Sequence, residues 1–320
     1  MLFYASVAIA FLFACLIWKQ GFRFSLVDIP NARSSHVHPT PRGGGLGIAV
    51  AVLTCGLLTT DNHWLVLIVF AMGILGFLED IFSLSTVLRL IVQLILSVLM
   101  VYFTLNIPHT PIEILLFIFW CIFLTATANF YNFMDGINGI AGVTGVIGFL
   151  FMAIYALLGA MQFDTGLLAV ILCGACAGFL PLNFPKGRVF MGDVGSLLLG
   201  FAYAAMVMKM STSVGIFICL TMFLFTFYAD SFVTIFYRIN LRENLTQAHR
   251  RHLYQYMSNE LAMPHWKVTI LYGTIQIVVS FTALFTIRST LLWQFSLLGG
   301  FSLLFIASYY LIKRIPPKKS

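Results

Sequence analysis

The chain has 320 residues, of which 60% are hydrophobic and only 9% are charged, and its formal net charge at pH 7 is +7. A soluble domain carries about 25% charged residues to cover its surface, so this composition excludes an ordinary soluble protein and indicates one solvated by lipid. The six cysteines lie in apolar stretches, at positions 15, 55, 121, 173, 176 and 219. Cys173 and Cys176 form a C-x-x-C pair without a second pair, so we interpret all six as buried helix residues rather than as a redox or zinc site.

Apolar runs of about 20 residues cross a bilayer as helices, because only a helix satisfies its own backbone there. Eleven such runs are predicted, at about 2–18, 44–60, 64–79, 86–105, 112–132, 138–160, 165–183, 195–210, 214–237, 267–287 and 290–312. The first has no positive charge ahead of it and no small-residue cleavage site, so we expect a retained span and not a signal peptide. The sequence therefore predicts a single all-α integral membrane domain over residues 1–320.

Eleven spans place the two chain termini on opposite faces of the membrane. On that basis 16 of the 18 Lys and Arg residues fall on one face, and only Lys209 and Arg288 fall on the other. The positive-inside rule then predicts an external N-terminus and a cytoplasmic C-terminus. The expected cytoplasmic loops are about 19–43, 79–86, 133–138, 184–194 and 238–266.

The same predicted face carries carboxylates, asparagines and histidines beside the basic residues. They fall in five blocks, at 28–45, 76–80, 129–139, 183–196 and 249–255. A single carboxylate at membrane depth is consistent with a solvated interfacial group. Four of them, each among glycines and asparagines, indicate a polar cavity, because charges at this depth are costly without a partner.

A metal–phosphate site is the chemistry that this mixture favours. Mg²⁺ takes oxygen ligands, typically one or two carboxylates together with phosphate oxygens and water. Arg and His then neutralise the remaining phosphate charge through charge-assisted hydrogen bonds. The run Gly43–Gly45 opens a predicted helix, whose N-terminus favours anions, but it lacks the ending of a Walker A motif. His249-x-x-His252 leaves zinc binding open beside phosphate binding and acid–base work.

Three blocks are the most specific: Arg33-x-x-His36-x-x-Pro39-x-Pro41, Asn129-x-x-Asn132-x-x-Asp135-Gly136-x-Asn138-Gly139 and Phe190-Met191-Gly192-Asp193-x-Gly195-Ser196. Together they resemble the polyprenyl-phosphate N-acetylhexosamine-1-phosphate transferases, glycosyl transferase family 4, which includes the phospho-N-acetylmuramoyl-pentapeptide transferase. The block His249-Arg250-x-His252-x-Tyr254-Gln255 is more similar to the O-antigen-initiating members than to the muramoyl-pentapeptide enzymes.

The resemblance implies a role for each matching residue. Asp193 is implied as the ligand of Mg²⁺, with Mn²⁺ as an alternative, and the implied catalytic carboxylates are Glu79, Asp80 and Asp135. The implied UDP-sugar contacts are Asn129, Asn132, Asn138, Asn183, His249, Arg250 and His252, and the implied phosphate contacts are Arg33, His36, Arg42 and Arg89. Glu79 departs from the usual Asp by one methylene, and Arg89 stands where a lysine is common, which is not an equivalent group.

The implied reaction transfers N-acetylhexosamine-1-phosphate from a UDP-sugar to polyprenyl phosphate, giving the lipid diphosphate sugar and UMP. It would initiate a cell-surface polysaccharide such as O-antigen at the cytoplasmic face of a bacterial inner membrane. The expected partners are the lipid and the UDP-sugar, with no nucleic acid, and a homodimer stays open. The alternatives are the muramoyl-pentapeptide transferase, a transporter of lipid-linked sugars or anions, and a non-enzymatic assembly subunit. A transporter would carry polar residues at mid-membrane, and an assembly subunit would not need carboxylates on one side.

Overall fold

The computed structural model of the chain describes residues 1–23, 26–30, 35–36, 38–244 and 250–317. Its elements in chain order are α1 Leu2–Gln20, β1 Val27–Asp28, β2 Thr40–Pro41, α2 Leu46–Thr59, α3 His63–Phe82, α4 Thr86–Leu105, α5 Pro111–Phe133, α6 Ile140–Ile154, α7 Phe163–Asn183, α8 Asp193–Met210, α9 Val214–Met222, α10 Phe225–Asn240, α11 Leu253–Gln255, α12 His265–Thr286 and α13 Leu291–Lys313. A π-helical turn follows α6 at Tyr155–Gly159, and another follows α11 at Tyr256–Glu260. The two short strands pair antiparallel. The predicted all-α class is confirmed.

Nine helices in the described part of the chain are long and apolar enough to cross a membrane, or ten if α9 and α10 are taken as one span. The chain is therefore a multi-pass membrane protein, as predicted. The predicted count of about eleven also includes α2, whose 14 residues fall below this length. A helix of that length rises about 21 Å, which is less than the apolar thickness of a bilayer.

The predicted span at 214–237 is not one continuous helix. α9 and α10 meet at a break where the chain turns by 91°. Gln276 of α12 is buried at this break, where its Oε1 accepts hydrogen bonds from the backbone and the hydroxyl of Thr226, both at 3.0 Å. Its Nε2 donates to the carbonyl of Met222 at 3.0 Å. One side chain thus satisfies backbone groups that the break leaves without helical partners, as the apolar surroundings require.

α8 is the central helix of the bundle. Nearly all of its residues are buried, and it packs between α3 and α5. α1, α4 and α13 lie at the periphery and expose many large apolar side chains, which suits contact with lipid. The N-terminus of α8 therefore opens in the middle of one end of the bundle, surrounded by the ends of other helices.

The ends of α3, α5 and α7 and the starts of α4, α6 and α8 meet at this same end of the bundle. The strand pair covers it, because the backbone N–H of Phe190 donates to the carbonyl of Pro41 at 2.8 Å. The end of α13 lies there too, since Lys313 Nζ donates to the carbonyl of Arg251 at 3.0 Å. We call this region the polar end of the bundle.

The side of the membrane that the polar end faces can be tested with reporters. A reporter fused after Arg242 or at Ser320 is expected to be cytoplasmic, and one after Asp61 or Asp164 is expected to be external. The reason is the distribution of Lys and Arg, 16 of 18 on one predicted face. Paired phosphatase and fluorescent-protein fusions at each site measure this, and an external signal after Arg242 would contradict the orientation.

Candidate active site

A cavity of about 860 Å³, counting the space open to solvent, lies at the polar end of the bundle. We call it the polar cavity. It is lined by Asp28, Ser35, His36, Arg42, Asp80, Asn132, Asp135, Gly136, Ile137, Asn138, Asn183, Phe190, Met191, Gly192, Asp193, Gln255 and His265. The structure thus brings eight of the predicted site residues into one cavity: His36, Arg42, Asp80, Asn132, Asp135, Asn138, Asn183 and Asp193.

Asp80, near the end of α3, fixes the start of α8. Its carboxylate is buried and accepts hydrogen bonds from the backbone N–H groups of Asp193 and Val194, both at 3.2 Å. These N–H groups have no partner within the helix, and a negative charge is favourable at this end. Gly192 just before them has φ +76°, and a Cβ there would come within 2.5 Å of the Asp80 carboxylate. Asp80 is therefore placed to position Asp193.

Two arginines accompany these carboxylates. The Arg42 side chain donates to the carbonyl of Asp80, and its Nε lies 3.9 Å from the Asp80 carboxylate. Arg89 Nη1 lies 3.5 Å from Asp193 and 3.6 Å from Glu79, and so bridges two acidic side chains. Glu79 and Arg89 are not among the described residues that line the polar cavity. They adjoin the cavity through Asp193.

Asp135 lies in the loop between α5 and α6, and its surroundings differ from those of Asp80 and Asp193. No described residue donates a hydrogen bond to its carboxylate. Burial raises the pKa of Asp135 well above its ordinary value, and the nearby charges of Asp193 and Asp80 raise it further. Like charges at close range disfavour the ionised form, so a cation between these groups would stabilise all of them.

Asn129 and Asn132, two of the implied UDP-sugar contacts near the end of α5, lie in two different environments. Asn132 lines the polar cavity and donates to Ser196 Oγ at 3.0 Å. Asn129, one turn earlier, donates instead to Gln93 Oε1 of α4 at 2.7 Å and does not line the cavity. Asn132 therefore lines the polar cavity, whereas Asn129 contacts α4.

The two later asparagines hold neighbouring loops together. Asn183 accepts a hydrogen bond from the backbone of Gly139 at 2.7 Å and donates to the carbonyl of Val189 at 2.9 Å. Asn138 donates to the carbonyl of Pro185 at 3.3 Å. Both side chains line the cavity, and both brace its wall through backbone contacts.

The predicted histidine–arginine contacts differ in position. His36 lines the polar cavity, with its Nε2 4.0 Å from the Asp28 carboxylate and its ring edge-on to Phe190 at 4.8 Å between centroids. Arg33 and His249 lie outside the described residues, so their predicted roles stay predictions.

The other two residues of this group, Arg250 and His252, do not line the cavity. Arg250 pairs with Glu260 at 3.5 Å. His252 is buried, with its Nδ1 3.3 Å from a carboxylate oxygen of Asp230. The structure therefore places both side chains against acidic residues of this chain.

Four residues without a predicted role are prominent in the structure. Asp28 and Gln255 line the cavity and belong to two of the polar sequence blocks. His265 lines it from the start of α12, where no motif marks it. Asp230 lies in α10 inside a predicted apolar span, and a lone ionisable residue in a span is itself a signal of function.

The residues around Asp135 and Asp193 fit a divalent cation whose remaining ligands come from water and from a bound substrate. Among the described residues, no three His, Cys, Asp or Glu side chains lie close enough to hold a metal by themselves. Mg²⁺ does not require such a set, because it keeps water and phosphate oxygens beside one or two carboxylates. The acidic neighbours of Asp135, and the lack of a hydrogen-bond donor to its carboxylate among the described residues, are consistent with this arrangement.

The fold and cavity define a polytopic α-helical membrane protein with a charged cavity at one end of its helix bundle. Residues 63–211 match the model of glycosyl transferase family 4. This region covers the ends of α3, α5 and α7 and the start of α8, which supply most of the acidic cavity wall. The resemblance inferred from the motifs is confirmed, and residues 63–211 of this chain are similar to that family.

Three curated relatives illustrate the similarity. A probable undecaprenyl-phosphate N-acetylglucosaminyl 1-phosphate transferase of Bacillus subtilis is 24% identical over 62% of this chain and 60% of its own length. A decaprenyl-phosphate N-acetylglucosaminephosphotransferase of Mycolicibacterium smegmatis is 27% identical over 57% of this chain and 53% of its own length. A phospho-N-acetylmuramoyl-pentapeptide-transferase of Clostridium botulinum is 32% identical over 53% of this chain and 60% of its own length. The matches thus span somewhat more than half the length of each relative.

Proposed function

We propose that the chain transfers a sugar-1-phosphate from a UDP-N-acetyl sugar to a polyprenyl phosphate. The observation that carries the proposal is the meeting of Asp80, Asp135 and Asp193, from three separate parts of the chain, around one cavity that also holds Arg42. Anionic substrates need cationic contacts, and a cation between substrate and protein needs carboxylates. The names of the similar proteins point to the same class of reaction.

In the proposed reaction an oxygen of the lipid phosphate attacks the β-phosphorus of the UDP-sugar. The bond from that phosphorus to the bridging oxygen breaks, and UMP leaves with the electron pair. Both substrates are negatively charged, so the protein contributes mainly by positioning them and by electrostatic stabilisation. Arg42 and His36 line the cavity and supply donors for phosphate oxygens.

The predicted carboxylates divide the remaining tasks. The Asp80 carboxylate accepts hydrogen bonds from two backbone N–H groups and so positions α8, and Glu79 forms an ion pair with Arg89. Asp135 accepts no hydrogen bond from the described residues, so its oxygens are available to the substrates, and we assign it the proton of the lipid phosphate. Asp193 and Asp135 would hold Mg²⁺, or Mn²⁺ in its place. When bound, the cation would offset the negative charge of the diphosphate and of the leaving UMP.

The lipid acceptor would enter from the bilayer. An apolar cavity of about 1180 Å³, counting its open space, lies between α5, the α9–α10 break and α13. Its lining includes Phe130, one turn before the end of α5, and Phe236 of α10. A polyprenyl tail lying there would bring its phosphate toward the polar end of the bundle.

The finer assignments rest on separate observations. The O-antigen role rests on the similarity of the 249–255 block to the initiating enzymes, and the inner-membrane, cytoplasmic-face location rests on the distribution of Lys and Arg. The muramoyl-pentapeptide transferase is the second candidate, because the Clostridium botulinum relative with that name is 32% identical over 53% of this chain. The two candidates differ in the sugar that they would accept.

A substrate panel tests the proposal and separates the candidates. Purified protein with undecaprenyl phosphate and Mg²⁺ is offered UDP-N-acetylglucosamine, UDP-N-acetylgalactosamine, their 6-deoxy forms and UDP-N-acetylmuramoyl-pentapeptide, and mass spectrometry identifies the lipid product. We expect a lipid diphosphate sugar and UMP with one of the simple N-acetyl sugars. A product only with the pentapeptide would favour the second candidate, and no product with any donor would contradict the proposed function.

A further inference from the structure

Asp230 is a carboxylate that the proposed reaction does not use. It lies in α10 and is fully buried, and it does not line the polar cavity. An ionisable side chain inside a membrane bundle is expensive and is usually kept by specific partners. The residues that contact Asp230 therefore indicate its role.

Three side chains donate hydrogen bonds to Asp230 or lie in hydrogen-bond contact with it. They are Thr234 Oγ1 of the same helix at 3.0 Å, the hydroxyl of Tyr272 from α12 at 2.7 Å, and His252 Nδ1 at 3.3 Å. Two of the three come from parts of the chain more than 20 residues away. Asp230 therefore joins α10 to α12 and to the segment that begins at His252.

The backbone of that segment is bound as well. The N–H of Leu253 donates to one carboxylate oxygen of Asp230 at 2.9 Å, and the N–H of Tyr254 donates to the other at 3.3 Å. N–H groups in the first turn of a helical segment have no partner within it. Here the capping group comes from another helix, so the carboxylate fixes where residues 252–255 lie in the fold.

The far side of the same segment reaches the polar cavity. Gln255 lines the cavity, and the Tyr254 hydroxyl donates to the carbonyl of Phe133 at 2.8 Å. A Cβ at Gly136 would collide with that hydroxyl, so the ring packs directly against the loop that carries Asp135. A continuous series of contacts therefore joins Asp230, through Tyr254, to the loop that holds Asp135.

We propose that Asp230 is a positioning residue that holds residues 252–255 against the loop around Asp135 and so sets the wall of the polar cavity. The proposal rests on the proposed function for its effect on turnover, but the placement of the cavity wall can be measured without substrate. The competing explanation is that Asp230 only stabilises the packing of α10 on α12 through Tyr272.

Three variants separate these explanations. Asp230→Asn removes the charge and leaves one acceptor for two backbone N–H groups. Tyr254→Phe removes only the hydroxyl that contacts the carbonyl of Phe133, so it tests the same link even if Asp230→Asn does not fold. Tyr272→Phe is the matched control, because it removes a Tyr hydroxyl from the same carboxylate and keeps the ring that packs edge-on against Tyr254.

Hydrogen–deuterium exchange of the full chain in detergent gives the first readout. We expect faster exchange in peptides covering 252–256 and 133–137 for Asp230→Asn, faster exchange in 133–137 for Tyr254→Phe, and wild-type exchange in both regions for Tyr272→Phe. Wild-type exchange for Asp230→Asn and Tyr254→Phe would overturn the proposal. So would equal changes in all three variants, because these would indicate packing alone.

Steady-state kinetics with the donor found by the substrate panel give the second readout. We expect kcat to fall about 10- to 100-fold in Asp230→Asn and Tyr254→Phe, because a small misplacement of reacting groups has an effect of this size. The KM for undecaprenyl phosphate should not change, and Tyr272→Phe should keep wild-type kcat. A wild-type kcat in both test variants would overturn the positioning role. If the wild-type protein transfers nothing, the proposed function fails, while the exchange result still decides whether Asp230 holds the cavity wall.

Discussion

Replacing Asp193 with Asn is expected to abolish sugar-phosphate transfer while leaving the protein folded and inserted in the membrane. The variant keeps the size of the side chain and removes the charge that we propose for cation binding. A loss of about 1000-fold or more in kcat is expected, which corresponds to about 4 kcal/mol of transition-state stabilisation. The measurement is transfer from the UDP-sugar to undecaprenyl phosphate at saturating Mg²⁺.

A structural role for Asp193 would give a much smaller effect. The N-cap residue of α8 is Gly192, which has no side chain that could accept a hydrogen bond from the first turn of the helix. In a purely structural role, Asp193 would pair with Arg89 and interact with the helix dipole, the latter an effect of about 0.3–1 kcal/mol. Near-normal transfer by Asp193→Asn would support that role and contradict the metal assignment.

A matched control is available at the opposite end of the bundle. Asp164 also lies in the first turn of a helix, α7, and accepts a hydrogen bond from Asn62 at 2.8 Å. Asp164→Asn makes the same chemical change in a comparable helix position, far from the polar cavity. We expect it to keep wild-type transfer, which would show that the loss at position 193 is not a general effect of removing a first-turn carboxylate.

Replacing Asp135 with Asn is expected to reduce transfer about 100-fold or more and, without divalent cations, to stabilise the folded protein at alkaline pH. The activity falls because the amide neither accepts the proton nor binds the cation as a carboxylate does. The stability rises because the pKa of Asp135 is raised in the folded protein by burial and by its acidic neighbours. The two effects have opposite signs, which a simple folding defect would not produce.

The sign of the stability effect follows from linkage. A carboxyl group with a raised pKa in the folded state binds its proton more tightly there than in the unfolded chain. Its contribution to stability is therefore fully present below the unfolded pKa, about 3.9, and is lost as the pH rises through the folded pKa. The amide introduced by Asp135→Asn cannot ionise, so the variant escapes the destabilisation that ionised Asp135 causes at high pH.

Thermal unfolding in detergent with EDTA measures this effect. The midpoint of the variant should exceed that of the wild type at pH 8, and the difference should shrink as the pH is lowered to 5. Mg²⁺ at a hundred times its dissociation constant would stabilise the wild type by about 2.7 kcal/mol and the variant by less. A variant less stable than the wild type at pH 8 without cations would show that burial and the acidic neighbours do not raise the pKa of Asp135.

Much of the fold followed from the sequence for a simple reason. Apolar runs of sufficient length form helices in lipid whatever their neighbours are, and each predicted run corresponds to a helix or a pair of helices. The departure from a continuous predicted helix lies where a side chain from a distant part of the chain binds the backbone. The predicted span at 214–237 is broken between α9 and α10, where Gln276, about 50 residues later in the chain, satisfies the backbone.

The candidate site was predictable where its residues stand in compact blocks of polar residues at helix ends. Asp80, Asp135 and Asp193 meet in one cavity as their shared membrane face suggested. Asn129 does not line that cavity, because residues three apart on a helix end can face different neighbours. The buried contact between His252 and Asp230 was not predictable, because nothing local links positions 22 residues apart.

The sequence by itself therefore determined that this is an all-α membrane protein with the motifs of glycosyl transferase family 4 and with acidic and basic residues gathered on one face. These properties depend on composition, on the length of apolar runs and on short motifs, all of which are local. Only the tertiary structure decided which carboxylates accept hydrogen bonds from other described residues and which do not. Asp80 is held by the start of α8, whereas Asp135 accepts no hydrogen bond from the described residues. Those differences arise because a side chain's partners are fixed by how distant helices pack, and packing is a property of the whole chain.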